Sequence, residues 1–220
     1  MGSARRQRRN NGSIQNRDKS YFAHPASLVE TEDIGAKTRI WAFAHVMAGA
    51  RVGRNCNIGD HAFIESGAIV GDNVTVKNGV SVWTRVVIEN DVFLGPNCVF
   101  TNDPNPRAYI KKGEDDLLLT RVCMNATIGA NATVLCGITV GRYALIGAGC
   151  VVLLSVPDFA LMVGNPARQV GWVCICAQRL PLSSDAPLGT RCVCRVCKRG
   201  FERFSEGVRE LEPVSGVTPS

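Results

Sequence analysis

From Ile34 to Phe100 every sixth residue is large and apolar: Ile34, Ile40, Val46, Val52, Ile58, Ile64, Val70, Val76, Val82, Ile88, Leu94 and Phe100. The series resumes at Val122 and continues through Ile128, Val134, Val140, Ile146 and Val152. Helices repeat at about 3.6 residues and strands at about 2, so neither a bundle nor a sandwich produces a beat of six. The beat predicts an all-β parallel β-helix of hexapeptide repeats. From Ile40 on, two residues before each large position stands a small or β-branched one, as in Ala44, Cys56, Ala62, Val80, Cys98 and Ala126. Each hexad therefore sends two side chains inward. Three hexads make one triangular coil, residues 18 apart stack, and the series fills about six coils. Glycine often follows the large residue, as at Gly35, Gly53, Gly59 and Gly129, where it is expected to relieve tight corners.

The beat breaks once. Between Phe100 and Val122 lie 16 residues more than a hexad needs, and Pro104 and Pro106 cannot belong to a central ladder. This predicts an excursion loop, residues 103–121, thrown out from one corner of a domain spanning 21–172. Long loops on rigid solenoids tend to carry function. After Val152 the pattern fades, and Val163 to Val170 reads as a turn leaving the prism. Residues 173–205 have their own composition, and 206–220 read as a polar, mobile stretch.

The net charge is +6, and residues 1–20 supply most of it through Arg5, Arg6, Arg8, Arg9, Arg17 and Lys19. That segment is poor in apolar residues and is expected to be a disordered, solvated leader rather than a nucleic-acid or lipid-binding arm. No apolar run approaches the ~18 residues of a membrane span, and the N-terminus lacks a secretory core. A cytoplasmic protein is expected.

Of the ten cysteines, Cys56, Cys98 and Cys150 occupy inward positions and read as small core residues, while Cys123 and Cys136 fall at turns. Cys174-x-Cys176 and Cys194-x-x-Cys197 form two short pairs that can enclose one tetrahedral metal as thiolates, Zn²⁺ first, with iron in a rubredoxin-like site also fitting four thiolates. Cys192 is a fifth candidate. A small zinc-ribbon-like knuckle, structural or docking rather than catalytic, is expected there.

Several blocks narrow the family: Arg39 to His45 (RIWAFAH), Glu89 to Pro96, Val99-Phe-Thr-Asn102 with Asn105-Pro-Arg107, Gly129 to Thr133, and Ala160 to Trp172 (ALMVGNPARQVGW). Over residues 24–172 the chain resembles the left-handed β-helix acyltransferases that use acetyl-CoA. Within these it is most similar to nucleotide-sugar N-acetyltransferases acting on UDP-2-acetamido-3-amino-2,3-dideoxyglucuronate. The resemblance implies a homotrimer with an active site between each pair of subunits. It implies a pantetheine arm along Gly129, Ala130, Gly147 and Ala148, and an adenine end near Pro166 and Arg168. It also implies that Asn102 contacts the acceptor amine. The chain departs from the family at Ala42, at Lys77-Asn78-Gly79 and at Trp83-Thr84-Arg85. These face the expected sugar-nucleotide side, which makes Lys77 and Asn78 candidate substrate contacts.

The reaction so implied joins an amine to a thioester. Amines beside electron-withdrawing groups titrate nearer ~8 than ~10, so a neutral fraction exists without a strong base. Orientation and oxyanion stabilisation are the needs. Asn102 can orient the amine, or merely cap a turn. Arg107 can hold an anionic substrate group. Of three histidines, His24 reads as structural, His61 lies at a corner, and His45 faces outward as a proton-relay or substrate residue. Two alternatives remain open: an O-acetyltransferase using His45 as base, and a non-catalytic scaffold. The histidine spacing does not suit a carbonic-anhydrase-like metal site.

Overall fold

The computed structural model describes residues 20–212. The basic leader up to residue 19 and the stretch from 213 onward lie outside the described residues. The described chain winds into a three-walled parallel β-solenoid. Wall one runs from Phe22–Ala23 through Arg39–Ile40, Asn57–Ile58, Thr75–Val76, Phe93–Leu94, Thr127–Ile128 and Leu145–Ile146 to Ala160–Val163. Wall two runs from Leu28–Val29 through His45–Val46, Phe63–Ile64, Ser81–Val82, Val99–Phe100 and Thr133–Val134 to Val151–Val152. Wall three holds Arg51–Val52, Ile69–Val70, Val86–Ile88, Thr120–Val122 and Thr139–Val140.

Most strands on the prism are two residues long, one side chain out and one in. The inward ladder of wall one, with Ile40, Ile58, Val76, Leu94, Ile128 and Ile146, is fully buried. The second inward position is buried too, so Ala44, Cys56, Val80 and Cys98 fill the narrow prism. Each fully buried Ile, Leu or Val contributes about 1.5–3 kcal/mol relative to exposure.

The solenoid has about eight turns, not six. An extra coil precedes Ile34, hidden because its inward residues are Ala23 and Val29 and because the step from Val29 to Ile34 is one residue short. At the other end Val140 bridges Val156 and Ile146 pairs with Met162, again off the beat.

The glycines do not serve as expected. The left-handed backbone position lies three residues after the large one, where Asn55, Asn73, Asn97 and Asn131 have φ near +57° and Gly49 has φ +82°. Gly129, immediately after Ile128, is needed for another reason: a Cβ there would stand 2.5 Å from the backbone nitrogen of Ala148 in the next coil. Glycine after the large residue permits coils to stack closely, and asparagine turns the corner.

The excursion loop leaves the edge between walls two and three. Leu118 N–H donates to Asn102 O at 2.9 Å and pinches its base. The strand resumes at Thr120, so the expected boundary at 121 is too late. Thr120 is fully buried and its hydroxyl accepts from Gly137 N–H at 3.2 Å. The loop holds one short 3₁₀ turn, Glu114–Asp116. No helix among the described residues is long and apolar enough to cross a membrane.

The expected turn at Val163 to Val170 is a hairpin: Ala160–Val163 pairs antiparallel with Arg168–Trp172. Beyond it a three-stranded antiparallel sheet, Arg191–Val193, Gly200–Phe204 and Gly207–Glu210, sits on the end of the prism. The expected mobile stretch from 206 therefore begins too early. Val208 is buried, and Ser205-Glu206 form the turn that returns the strand. Phe201, fully buried, meets the Phe159 ring edge-on at 5.7 Å, and Phe159 stacks on Tyr143 at 4.9 Å.

Candidate active site

The stacking of coils sorts the candidate residues onto two edges. Lys77 stacks beneath Gly95, Gly129 and Gly147, one residue past the paired wall-one strands. Asn78, Ala130 and Ala148 continue the same file, and Gly149 N–H donates to Ala130 O at 2.9 Å. All six candidates thus share the edge between walls one and two, the first edge. Around Gly129 this file is lined by backbone and small side chains. At its C-terminal end the hairpin folds over, with Ala167 N–H donating to Val151 O at 2.9 Å. Pro166 lies at the hairpin tip, and Arg168 is exposed beside it, its guanidinium on Ala167 O at 3.2 Å.

Asn102 stands on the edge between walls two and three, the second edge. It lies one coil above Thr84, and its Nδ2 donates to Thr84 O at 3.4 Å. Thr84 is itself fixed: its hydroxyl donates to Ser66 O at 2.6 Å and its N–H to Glu65 Oε2 at 2.7 Å. The loop beyond is braced where Lys112 Nζ reaches Asp103 Oδ1 at 2.5 Å and Asn105 O at 2.8 Å. That ammonium holds the Asp103 carboxyl below the usual range. Arg107 is exposed further out, its guanidinium on Pro106 O at 3.3 Å.

In one chain, then, Asn102 and the Gly129 file lie on opposite sides of wall two. Asn97 on the first edge and Asn102 on the second are five residue steps apart, a span of up to ~18 Å.

Wall two carries His45 far below Asn102. Three coil steps separate them along the axis (His45, Phe63, Ser81, Val99), about 14 Å at the usual strand spacing. His45 Nε2 pairs with Glu30 Oε2 at 3.2 Å. Its ring meets Phe63 edge-on at 5.3 Å, Phe63 meets Trp83 at 5.5 Å, and Trp83 Nε1 donates to Phe100 O at 2.9 Å. The structure does not bring His45 and Asn102 together, but an aromatic ladder connects them. Phe63 and Trp83 were missed as a set, although stacking at 18 residues from His45 points to Phe63. His61 stacks on the exposed Phe43 ring at 5.0 Å on the first edge, and His24 Nδ1 accepts from Ala26 N–H at 3.1 Å.

Four thiols of the repeats are held protonated by their surroundings. Burial pushes Cys98 up to about 12 and raises Cys56 and Cys150. Cys123 is raised by burial and then by the Glu89 carboxylate.

Four other thiols converge: the Sγ atoms of Cys174, Cys176, Cys194 and Cys197 all lie within 4.8 Å of one another. Cys174 Sγ is 3.2 Å from Cys197 Sγ, and Cys176 Sγ 3.6 Å from Cys194 Sγ. Each pair sits on a tight turn. Ala177 N–H returns to Cys174 O and Lys198 N–H to Cys194 O, with Ala177 and Lys198 in the left-handed region at φ 63° and 62°. Cys192 lies outside this cluster: its strand pairs it with Phe201, and it packs against the core. Burial opposes ionisation of Cys194, yet the backbone N–H groups of Cys197 and Val196 and the thiols of Cys174 and Cys176 bring it down to about 6. A tetrahedron with Zn–S bonds of ~2.3 Å sets sulfurs about 3.8 Å apart, so the donor set fits such an ion.

Residues 33–66 match the family described as bacterial transferase hexapeptide (six repeats), and residues 122–153 the hexapeptide repeat of succinyl-transferase. A curated relative, dTDP-3-amino-3,6-dideoxy-alpha-D-galactopyranose 3-N-acetyltransferase of Aneurinibacillus thermoaerophilus, is 44% identical over 197 residues, covering 85% of this chain and 93% of the relative. Its name gives a dTDP-linked sugar rather than a UDP-linked uronate. The serine acetyltransferase of Bacillus subtilis (strain 168) is 54% identical over 46 residues, 21% of each chain. Among solved structures, the acetyltransferase domain of PglB from Neisseria gonorrhoeae FA1090 is similar with a TM-score of 0.45 and 22% identity, over 68% of this chain and 57% of that one.

Proposed function

Because the chain belongs to the hexapeptide-repeat acyltransferases, we propose that it moves the acetyl group of acetyl-CoA onto the amine of a nucleotide-linked amino sugar. The observation that carries this reading is the near-full-length match to the dTDP-amino-sugar enzyme. Acetyl-CoA is read as lying along the first edge, its adenine end at Pro166 and Arg168 and its pantetheine past Gly147, Ala148, Gly129 and Ala130. Small residues there admit a slender ligand, and a guanidinium suits phosphate. A cytoplasmic location belongs to the same reading.

A homotrimer completes the site. Gly95 and Asn102 belong to the same coil, on the first and second edges. Copies set side by side around an axis parallel to the prism keep equal heights. The second edge of one copy then brings Asn102 to the level where a donor descending the neighbour's first edge ends. Lys77 and Asn78 lie one coil lower on that first edge, where they can meet the acceptor's charged and polar groups. Arg107 reaches from the loop toward an anionic group. His45, Phe63 and Trp83 offer faces to the rings of the nucleotide sugar, and ring stacking of this kind is worth about 1–3 kcal/mol per base.

The chemistry needs little from the protein beyond placement. The neutral amine nitrogen attacks the thioester carbonyl carbon and the C–S bond breaks. The proton leaving nitrogen goes to the departing sulfur, giving an amide and the CoA thiol. Asn102 Oδ1 accepts an N–H and aims the lone pair, while one of its own two amide N–H groups is held by Thr84 O. At about 14 Å along the axis, His45 of the same chain cannot take a proton from that amine.

In the appendage, Cys174, Cys176, Cys194 and Cys197 are read as thiolate ligands of one structural Zn²⁺, which supplies folding energy and no chemistry on the sugar.

The test is a thiol-release assay with acetyl-CoA and a panel of dTDP- and UDP-linked amino and hydroxy sugars. Amide formation on a 3-amino sugar is expected. Turnover of hydroxy sugars alone would overturn the reading.

A further inference from the structure

We propose that the four-thiolate cluster is a positioning device for the acyl donor, clamping the strand that presents Arg168. The proposal rests on the placement of the CoA adenine end at Pro166 and Arg168. The hairpin strand Arg168–Trp172 pairs on one side with Ala160–Val163. Its other side is held by the segment that follows the first knuckle. Leu180 N–H donates to Trp172 O at 2.9 Å, Arg179 Nη2 to Val170 O at 2.8 Å, and Trp172 Nε1 to Ser183 O at 3.2 Å. That segment is turned back by Cys174 N–H on Gln178 O at 2.8 Å.

The two halves of the cluster belong to different bodies. Cys174 and Cys176 extend the hairpin strand. Cys194 and Cys197 lie between the strands Arg191–Val193 and Gly200–Phe204 of the terminal sheet. The sheet has its own anchorage on the prism through Phe201 against Phe159, and Arg203 lies over the Trp172 ring at 5.1 Å. Four thiolates sharing one ion therefore tie the hairpin's continuation to a sheet already seated on the column. Without the shared ion the two halves of the cluster are no longer tied, the 178–183 segment loses its closure, and one edge of the Arg168 strand opens to water. The strand would keep its pairing with wall one but lose a fixed direction for the guanidinium.

The experiment uses the full chain as isolated. Metal content is measured, the ion is stripped with chelator under reducing conditions, and Zn²⁺ is restored. Acetyl-CoA affinity is read by calorimetry, and amide hydrogen exchange is followed at residues 168–172 and at Thr127–Ile128. The expected result is about one zinc per chain. Stripping should weaken acetyl-CoA binding by about tenfold, within the range of ordinary coupling between sites. It should lose protection at 168–172 while Thr127–Ile128 stays protected, and zinc should restore both. The double variant Cys194→Ser with Cys197→Ser should match the stripped protein. Arg168→Ala separates the two layers. Unchanged acetyl-CoA binding by Arg168→Ala would overturn the seat itself. Unchanged binding after stripping, with Arg168→Ala still weak, would overturn the clamp alone, as would a chain that takes up no metal.

Discussion

Asn102 rests on Thr84: its Nδ2 donates to the carbonyl oxygen one coil below at 3.4 Å. The contact takes one of the two amide N–H donors, and the oxygen end is read as what Asn102 presents to the amine. Asn102→Ala should lower kcat by about 10²-fold, the usual penalty for lost orientation, with little change in KM for acetyl-CoA. Steady-state kinetics with the amino sugar checks this. An unchanged kcat would return Asn102 to the role of a turn cap.

His45 lies near the far end of the aromatic ladder. His45→Ala is expected to raise KM for the nucleotide sugar and leave kcat within about threefold, as removal of uniform binding does. A collapse of kcat with loss of one limb of the pH profile would instead favour general-base O-acetylation.

Gly129 has no room for a side chain, its Cβ position being 2.5 Å from Ala148 N. Gly129→Ala should push neighbouring coils apart. Overpacking of this kind costs about 1–3 kcal/mol, read as a lowered Tm. Calorimetric affinity for acetyl-CoA should fall with it, whereas affinity for the nucleotide sugar should suffer less.

Phe100 is among the largest fully buried side chains and sits where the loop departs. Phe100→Ala should cost about 3–5 kcal/mol in denaturant unfolding. A cost under ~1 kcal/mol would mean that the column collapses around the gap far more readily than its stacked strands suggest.

Glu202 accepts from Arg209 and Arg191, and these guanidinium partners hold its carboxyl below the usual range. A depressed value means stability that is present above the ordinary carboxylate pKa and is lost as pH falls through the folded one. Glu202→Gln should therefore lower the Tm of the terminal sheet at neutral pH, and the gap to wild type should close below about pH 4. A gap independent of pH would contradict this.

The column was readable in the sequence because every coil obeys one rule: Ile40, Ile58 and Val76 stack at 18 residues and cannot satisfy any other period. Its ends were not, since Ala23 is too small to mark a beat and the coil at Val29 is a residue short. Strand Gly207–Glu210 was hidden by polarity, because only Gly207 and Val208 in it are buried and Arg209 and Glu210 stay exposed. Spacing put the four thiols together and left Cys192 undecided; only the folded chain, in which four sulfurs converge and Cys192 packs against the core, removes it. The division of the candidate site between two edges was implicit in the hexad count. Asn78 and Ala130 fall on one file and Asn102 on another, but the offset added by the loop obscures it.

The excursion between Phe100 and Thr120 leaves the ladder across it unbroken: Val99 and Phe100 pair directly with Thr133 and Val134. The arm is thus hung on the outside of a frame that does not register its presence. Its length and chemistry can be rewritten during descent, and new acceptors adopted, without renegotiating the stability of the whole molecule.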